Sequence, residues 1–153
     1  MTHLARIEDA ALLTGQGRFL DDLDPLPGTL VAAVVRSPHA HARIRSIDLE
    51  KARRMPGVAA VIGPDEVLAT LEPFPLSVKT PHPYYPTATD KARFVGEPVA
   101  VVVASDRYLA EDAAELVEVE YEPLPVVVRT DRALEPDAPL LHDESDSNVA
   151  TDR

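Results

Sequence analysis

The sequence predicts an α+β domain organised around a strand–helix–strand unit at residues 97–122. Three observations support this prediction. Residues 99–104 form a continuous apolar, valine-rich run, which is typical of a strand covered on both faces. Apolar residues then recur at helical spacing from Tyr108 to Leu116. From Val117 to Tyr121 the period changes to two, which indicates a second strand with a polar face.

The connection between these two strands also bears on the topology of the sheet. Ser105 and Asp106 have short polar side chains suited to the N-terminus of the helix. Because the link is so short, we expect parallel neighbours and a right-handed crossover if both strands share a sheet. The predicted fold is therefore a mixed sheet with this unit at its centre and an extended arm at its N-terminus.

A bend before the central strand is the candidate functional site. Gly96 permits a tight turn or a close backbone approach. Pro98, at the first residue of the strand, has no backbone N–H to donate to a neighbouring strand. The structural interpretation is a bend into the core strand, and the functional one is a surface that faces a partner or a substrate channel. The candidate residues for that surface are Arg93, Phe94, Gly96, Glu97 and Pro98.

The remaining elements before this unit follow from apolar runs and turn residues. We expect residues 1–28 to form an extended arm with one short helical turn, because they contain little apolar periodicity. Asp48 and Pro64 are suited to the starts of two short helices, and Pro56-Gly57 ends the first. The predicted strands are 29–36, 42–47 and 58–62, and the predicted helices are 49–55 and 64–71.

Two segments have no periodic pattern. Residues 72–89 contain five prolines, so we expect a long surface loop or a partner contact. Residues 126–128 are expected to form an edge strand, after which the chain becomes acidic and proline-interrupted. The predicted organisation is an arm at 1–28 that packs on a partner domain, a domain at 29–130 and an acidic C-terminal linker at 131–153.

Composition excludes several classes of protein. At 153 residues and 45% apolar content, the chain fits one domain with a real core. The lack of cysteine excludes disulfides, Fe–S ligation and a thiolate nucleophile within this chain. No apolar run approaches the roughly 20 residues that span a bilayer, and no secretory leader is visible. We therefore expect a cytoplasmic chain without membrane insertion.

The charge is strongly acidic and uneven. The net charge is −11, and residues 105–153 hold four Lys/Arg against fourteen Asp/Glu. Phosphates would repel such a surface, so nucleic acid is not an expected partner. The acidic residues at 111–122 alternate with the helix and strand periods, which indicates a solvated face rather than paired catalytic carboxylates.

The sequence offers no catalytic, cofactor-binding or metal-binding residues. The glycines of residues 14–19 do not make a dinucleotide fingerprint, because no strand precedes them and no helix follows. The histidines are scattered along the sequence. His39 and His41 are two residues apart, but they lack the third ligand that a metal site requires. We interpret all five as turn and surface residues: His3, His39, His41, His82 and His142.

Three stretches resemble the N-terminal α/β-hammerhead domain of the molybdenum hydroxylase large subunit. These enzymes include xanthine dehydrogenase, aldehyde oxidase and aerobic carbon monoxide dehydrogenase. The arm reads LTGQGRF at 13–19, the first strand and turn end in RSPHAHARI at 36–44, and the central bend reads DKARFVGEPVA at 90–100. Residues 110–115, 121–125 and 140–143 extend the similarity in the same order, so it covers nearly the whole chain.

The resemblance implies an α/β-hammerhead fold and a role within an oxidoreductase. In that family, other domains bind molybdopterin and supply the catalytic glutamate, and neither can be placed on residues of this sequence. The implied partners are the molybdopterin-binding domains of the large subunit, together with Fe–S and flavin (FAD) subunits. The chain is then a non-catalytic structural and assembly component. The alternatives are a free-standing scaffold and a small-molecule binding module using Phe94, Tyr84 and Tyr85.

Overall fold

A computed structural model describes residues 6–76, 80 and 82–151 of the chain. Its helices are α1 (Asp9–Leu13), α2 (Glu50–Arg53), α3 (Pro64–Thr70) and α4 (Arg107–Glu115), with 3-10 turns at Leu20–Asp22 and Arg132–Leu134. Its strands are β1 (Val31–Arg36), β2 (Ala42–Asp48), β3 (Val58–Ile62), β4 (Lys91–Ala92), β5 (Pro98–Ala104) and β6 (Glu118–Pro123).

The strands form two three-stranded sheets, in which every pair is antiparallel. The first sheet has the order β1-β5-β3, and the second has the order β4-β2-β6. The predicted hammerhead fold class is confirmed. The predicted strands and helices up to α3 lie within one or two residues of their observed bounds, except that the two-residue β4 was not predicted.

The expected parallel crossover is wrong, because β5 and β6 lie in different sheets. Strand pairing follows side-chain chemistry instead. The apolar β5 pairs with two other apolar strands, whereas the acidic β6 pairs with β2. Arg45 of β2 forms an ion pair with Glu122 of β6, and Arg43 lies 4.0 Å from the same carboxylate. Opposite charges that face each other across two strands stabilise their pairing. They therefore favour the pairing of β6 with β2 over the pairing of β6 with an apolar strand.

Helix α4 covers one face of the first sheet. Its N-terminus is capped as predicted, since the Asp106 carboxylate accepts a hydrogen bond from the Leu109 N–H at 3.0 Å. Ala113 of α4 and Ala52 of α2 are fully buried against Ala100 and Val102 of β5. The small side chains allow these helices to lie close to the sheet, and this layer is the core of the domain.

Other segments lack regular structure. Residues 126–128 form no strand, so the expected edge strand is wrong; the prolines at 123 and 125 end the pairing with β2 at Pro123. The described part of the 72–89 loop contains neither helix nor strand, as predicted. No helix in the described ranges has the length and apolar content that crossing a membrane would require.

Candidate functional site

The bend before β5 is a tight turn fastened to the neighbouring strand. The Glu97 N–H donates to the Phe94 carbonyl at 3.2 Å, and Gly96 has a φ of +86°. This backbone conformation favours glycine at the third position of the turn. The Gly96 N–H donates to the Ser37 carbonyl at 2.8 Å, and the Arg36 guanidinium donates to the Gly96 carbonyl at 2.8 Å. The bend is therefore held to the end of β1.

Two charged side chains stabilise the bend from inside. The Glu97 side chain is buried and its carboxylate accepts the Arg93 N–H. Burial raises the pKa of the Glu97 carboxyl above its usual value, while hydrogen bonding to the Arg93 N–H opposes that shift. The Arg93 guanidinium donates to Asp90 at 3.1 Å and to the Lys91 carbonyl at 3.1 Å. Both residues act within the turn, which supports the structural interpretation of these two candidates.

The apolar tip of the bend is exposed. Phe94 is 44% exposed, and Val95 beside it is 65% exposed. Phe94, Tyr84 and Tyr85 line one cavity, as the binding-module alternative requires, and Arg93 and Glu97 also line it. The volume is about 160 Å³, which is below the roughly 300–1,000 Å³ usual for small-molecule pockets. Gly96 and Pro98 do not line this cavity.

A cavity beside the second sheet does not suit the molybdopterin that the resemblance implies for the assembly. It measures about 400 Å³ and lies between β2, α2 and the start of α3. Its lining carries two arginines against four carboxylates: Arg45, Arg53, Asp48, Glu50, Asp65 and Glu66. A phosphate-bearing pterin requires N–H donors and positive charge, which this excess of carboxylates opposes. The lining of this cavity thus does not fit that cofactor.

The face of the first sheet opposite the helices is apolar and partly open. In the sheet register, Val34, Val101 and Ile62 lie side by side, as do Ala32, Val103 and Ala60. Val34 is 39% exposed, and none of the six is fully buried. The expectation that the central strand is covered on both faces therefore holds for one face only. We refer to these six residues as the open sheet face.

The histidines do not all lie at the surface. His41 is buried, and its Nδ1 lies 2.7 Å from the Pro125 carbonyl oxygen, so the prediction of a turn or surface residue was wrong for His41. His39 packs edge-on against Tyr121, with ring centroids 5.0 Å apart. His82 and His142 stack on each other at 3.8 Å. His3 lies outside the described residues.

Sequence reasoning did not find the contacts between the tail and the domain. Lys91 is 1% exposed, and its ammonium lies 2.8 Å from the Asp143 carboxylate. The hydrogen bond from Lys91 holds the pKa of the Asp143 carboxyl below its usual value. The Asn148 side-chain amide donates to the Pro139 carbonyl at 3.0 Å and accepts the Leu141 N–H at 2.9 Å. In the sequence, the only signal was a lysine near the predicted central strand. A lysine at such a position does not show which residue it pairs with.

Comparison with known proteins identifies the family. Residues 14–125 match the family described as aldehyde oxidase and xanthine dehydrogenase, a/b hammerhead domain. The carbon monoxide dehydrogenase large chain of Afipia carboxidovorans is 48% identical over 91% of this chain and 17% of its own length. The 6-hydroxypseudooxynicotine dehydrogenase complex subunit gamma of Paenarthrobacter nicotinovorans is 45% identical over 76% of this chain and 16% of its own length.

A solved structure agrees in fold. Quinoline 2-oxidoreductase from Pseudomonas putida 86 superposes with a TM-score of 0.82 at 44% identity, over 95% of this chain and 19% of that chain. The chain thus spans less than a fifth of the length of these relatives. It belongs to the aldehyde oxidase and xanthine dehydrogenase a/b hammerhead family.

Proposed function

We propose that the chain is a non-catalytic structural and assembly domain, which packs against the molybdopterin-binding domains of a molybdenum hydroxylase large subunit. The open sheet face is the observation that supports this role most directly. Its six side chains are all apolar, and they form two adjacent rows across three strands. A contiguous exposed apolar patch of this kind is typical of a protein interaction site. A strand whose outer face lies in solvent carries polar residues on that face instead.

The N-terminal arm adds a second surface of the same kind. Five of its large apolar side chains are more than 60% exposed: Ile7, Leu13, Phe19, Leu20 and Leu26. Its ion pair to the domain joins Arg107 to Asp21 at 3.3 Å, and both side chains are exposed. Exposed ion pairs of this type contribute little to stability. Burial of its apolar side chains on a partner would therefore stabilise the arm more than this ion pair does. We therefore assign the arm, residues 1–28, to packing on a partner domain. Residues 131–153 are assigned to an acidic linker, which the Asp143–Lys91 ion pair holds to the domain.

The cofactors of the assembly belong to other polypeptide segments under this proposal. Molybdopterin is held by the partner domains, and Fe–S clusters and a flavin by further subunits of a cytoplasmic complex. One related solved structure, 47% identical to this chain, is that of a Cu,Mo-CO dehydrogenase. The hammerhead domain contributes the rigid bend at residues 93–98, whose apolar tip we place against a partner or the substrate channel.

Tagging the chain in its native host and recovering it gently tests this function. We expect a larger polypeptide and stoichiometric molybdenum in the eluate. Val34→Glu, on the open sheet face, should lower the recovery of both, because it places a charge in the interface. Val128→Glu is the matched control, since Val128 is 82% exposed and lies outside the sheet. Recovery of a single metal-free species would contradict the proposal.

The binding-module alternative rests on the cavity lined by Phe94, Tyr84 and Tyr85. It predicts that a small aromatic compound raises the melting temperature of the isolated chain. Phe94→Ala should abolish that rise, whereas Phe19→Ala, at an exposed phenylalanine of the arm that does not line the cavity, should preserve it. A flat response across a metabolite panel would remove this alternative. A free-standing scaffold would instead recover proteins that contain no molybdenum.

A further inference from the structure

Three potential metal ligands converge where the 72–89 loop meets the C-terminal tail. His82 comes from the loop, and His142 and Glu144 come from the tail. Their ligand atoms all lie within 4.8 Å of one another. The Glu144 carboxylate oxygen Oε1 lies 3.4 Å from His82 Nδ1 and 3.3 Å from His142 Nδ1. His82 lies 60 positions before His142 in the sequence, so only folding brings it to the two ligands of the tail.

His82 is buried with an unpartnered nitrogen directed into this cluster. Its side chain is 10% exposed, and its Nδ1 is buried without a hydrogen-bond partner. Its other nitrogen, Nε2, lies 3.1 Å from the Ser145 hydroxyl. A proton on Nε2 shared with Ser145 leaves the Nδ1 lone pair free. Metal-binding histidines are usually oriented by such a partner on the second nitrogen.

Two of the three ligand separations suit a small tetrahedral ion. Ligands bound at about 2.0–2.1 Å in a tetrahedron lie about 3.3–3.4 Å apart, which matches both nitrogen–oxygen distances. The imidazole rings are stacked at 3.8 Å and 17°. They must rotate about their Cβ–Cγ bonds to direct both lone pairs at one ion. His142 and Glu144 are 26% and 50% exposed, so the rotation has room and a water can reach the site.

The charges of the site are compatible with a cation. The neutral imidazole is the form that binds a metal. Arg93 lines the same cavity as His142, and its guanidinium is paired with Asp90 at 3.1 Å. The carboxylate of Glu144 supplies the negative charge that two neutral imidazoles lack.

We propose that His82 Nδ1, His142 Nδ1 and the Glu144 carboxylate bind one divalent transition-metal ion of the zinc class, with a fourth position open to water. Two imidazoles and a carboxylate are a ligand set that zinc accepts. The ion would join the proline-rich loop to the tail across 60 positions of sequence. This site is independent of the proposed packing role, which needs no metal in the hammerhead domain.

Calorimetric titration of the metal-stripped, tag-free chain with zinc chloride tests the proposal. We expect saturation at one zinc per chain. Losing even an outer partner of a metal ligand weakens binding about 10–100-fold, so Glu144→Gln and His142→Ala should each weaken it by at least about tenfold. Glu144 is half exposed, so Glu144→Gln should fold normally, and its melting curve without metal should match that of the wild type.

His39→Ala is the matched control, because His39 packs on Tyr121 away from the cluster. It should bind zinc as the wild type does. The proposal is overturned if the chain shows no saturable binding. It is also overturned if both cluster variants bind like the wild type, or if His39→Ala loses binding to the same degree as they do.

Discussion

The ammonium of Lys91 lies 2.8 Å from the carboxylate of Asp143, and Lys91 is 1% exposed whereas the Asp143 side chain is 60% exposed. A lysine in the second sheet is therefore neutralised by a residue of the tail. Its other contact is the Leu141 carbonyl oxygen at 3.4 Å. Burial of a lysine requires such a partner, so this pair ties the position of the tail to the stability of the domain.

Asp143→Asn should destabilise the domain because it leaves the buried Lys91 charge without its counter-ion. An unsatisfied buried group costs about 1–3 kcal/mol, and we expect a loss of that order in the free energy of unfolding by urea. Asp137→Asn, at an exposed aspartate of the same tail, should change it little. Equal stability of the two variants would show that the tail does not neutralise Lys91 in solution.

Gly96→Ala should destabilise the bend through backbone strain alone. The φ of Gly96 is +86°, and an added Cβ would meet no atom within 4 Å. The left-handed conformation costs a residue with a Cβ about 1–2 kcal/mol, and thermal unfolding should show a loss of that size. Val95→Ala, beside it at an exposed position, should have little effect. A Gly96→Ala variant as stable as the wild type would mean that the turn adopts another conformation.

Glu97 should make the stability of the domain depend on pH. Burial raises the pKa of this carboxyl in the folded state, so the folded protein holds the proton at a pH where the unfolded chain has released it. Its contribution is therefore fully present below the unfolded pKa, and it is lost as the pH rises through the folded pKa. Denaturation measured across that window should show stability falling with pH.

Glu97→Gln is the control for this effect. The amide oxygen can still accept the Arg93 N–H, but the side chain no longer titrates. We expect the fall in stability over the window to become smaller in this variant. An unchanged pH profile would assign the dependence to another group.

Val102→Asp should prevent folding, since Val102 is fully buried against α4 and an unpaired charge there has no partner. Val101→Asp lies on the open sheet face, so it should fold with a smaller loss of stability. Circular dichroism and melting of both variants measure the difference. Equal effects would show that the two faces of β5 are covered alike.

Glu120→Lys, on the exposed side of β6, should change stability little.

The sequence determined most elements of the fold, though not β4 or the missing strand at 126–128, because the signals of the longer elements are local. The valine run gives β5, Asp106 gives the start of α4, and Gly96-Glu97-Pro98 gives the bend, each from neighbouring residues that act within one turn or strand. The similarity of the three stretches to the hammerhead family also came from sequence, and the comparisons confirmed it.

Only the tertiary structure decided which strands pair and which side chains meet. The separation of β5 and β6 into two sheets depends on competition among strands, which the short connection between them does not reveal. The same holds for the open sheet face, for Lys91 with Asp143, and for His82 with His142. The residues that meet in each case are tens of positions apart along the chain, so no local sequence pattern predicts the contact. The physical reason is that burial and charge pairing are decided only when the whole chain has packed.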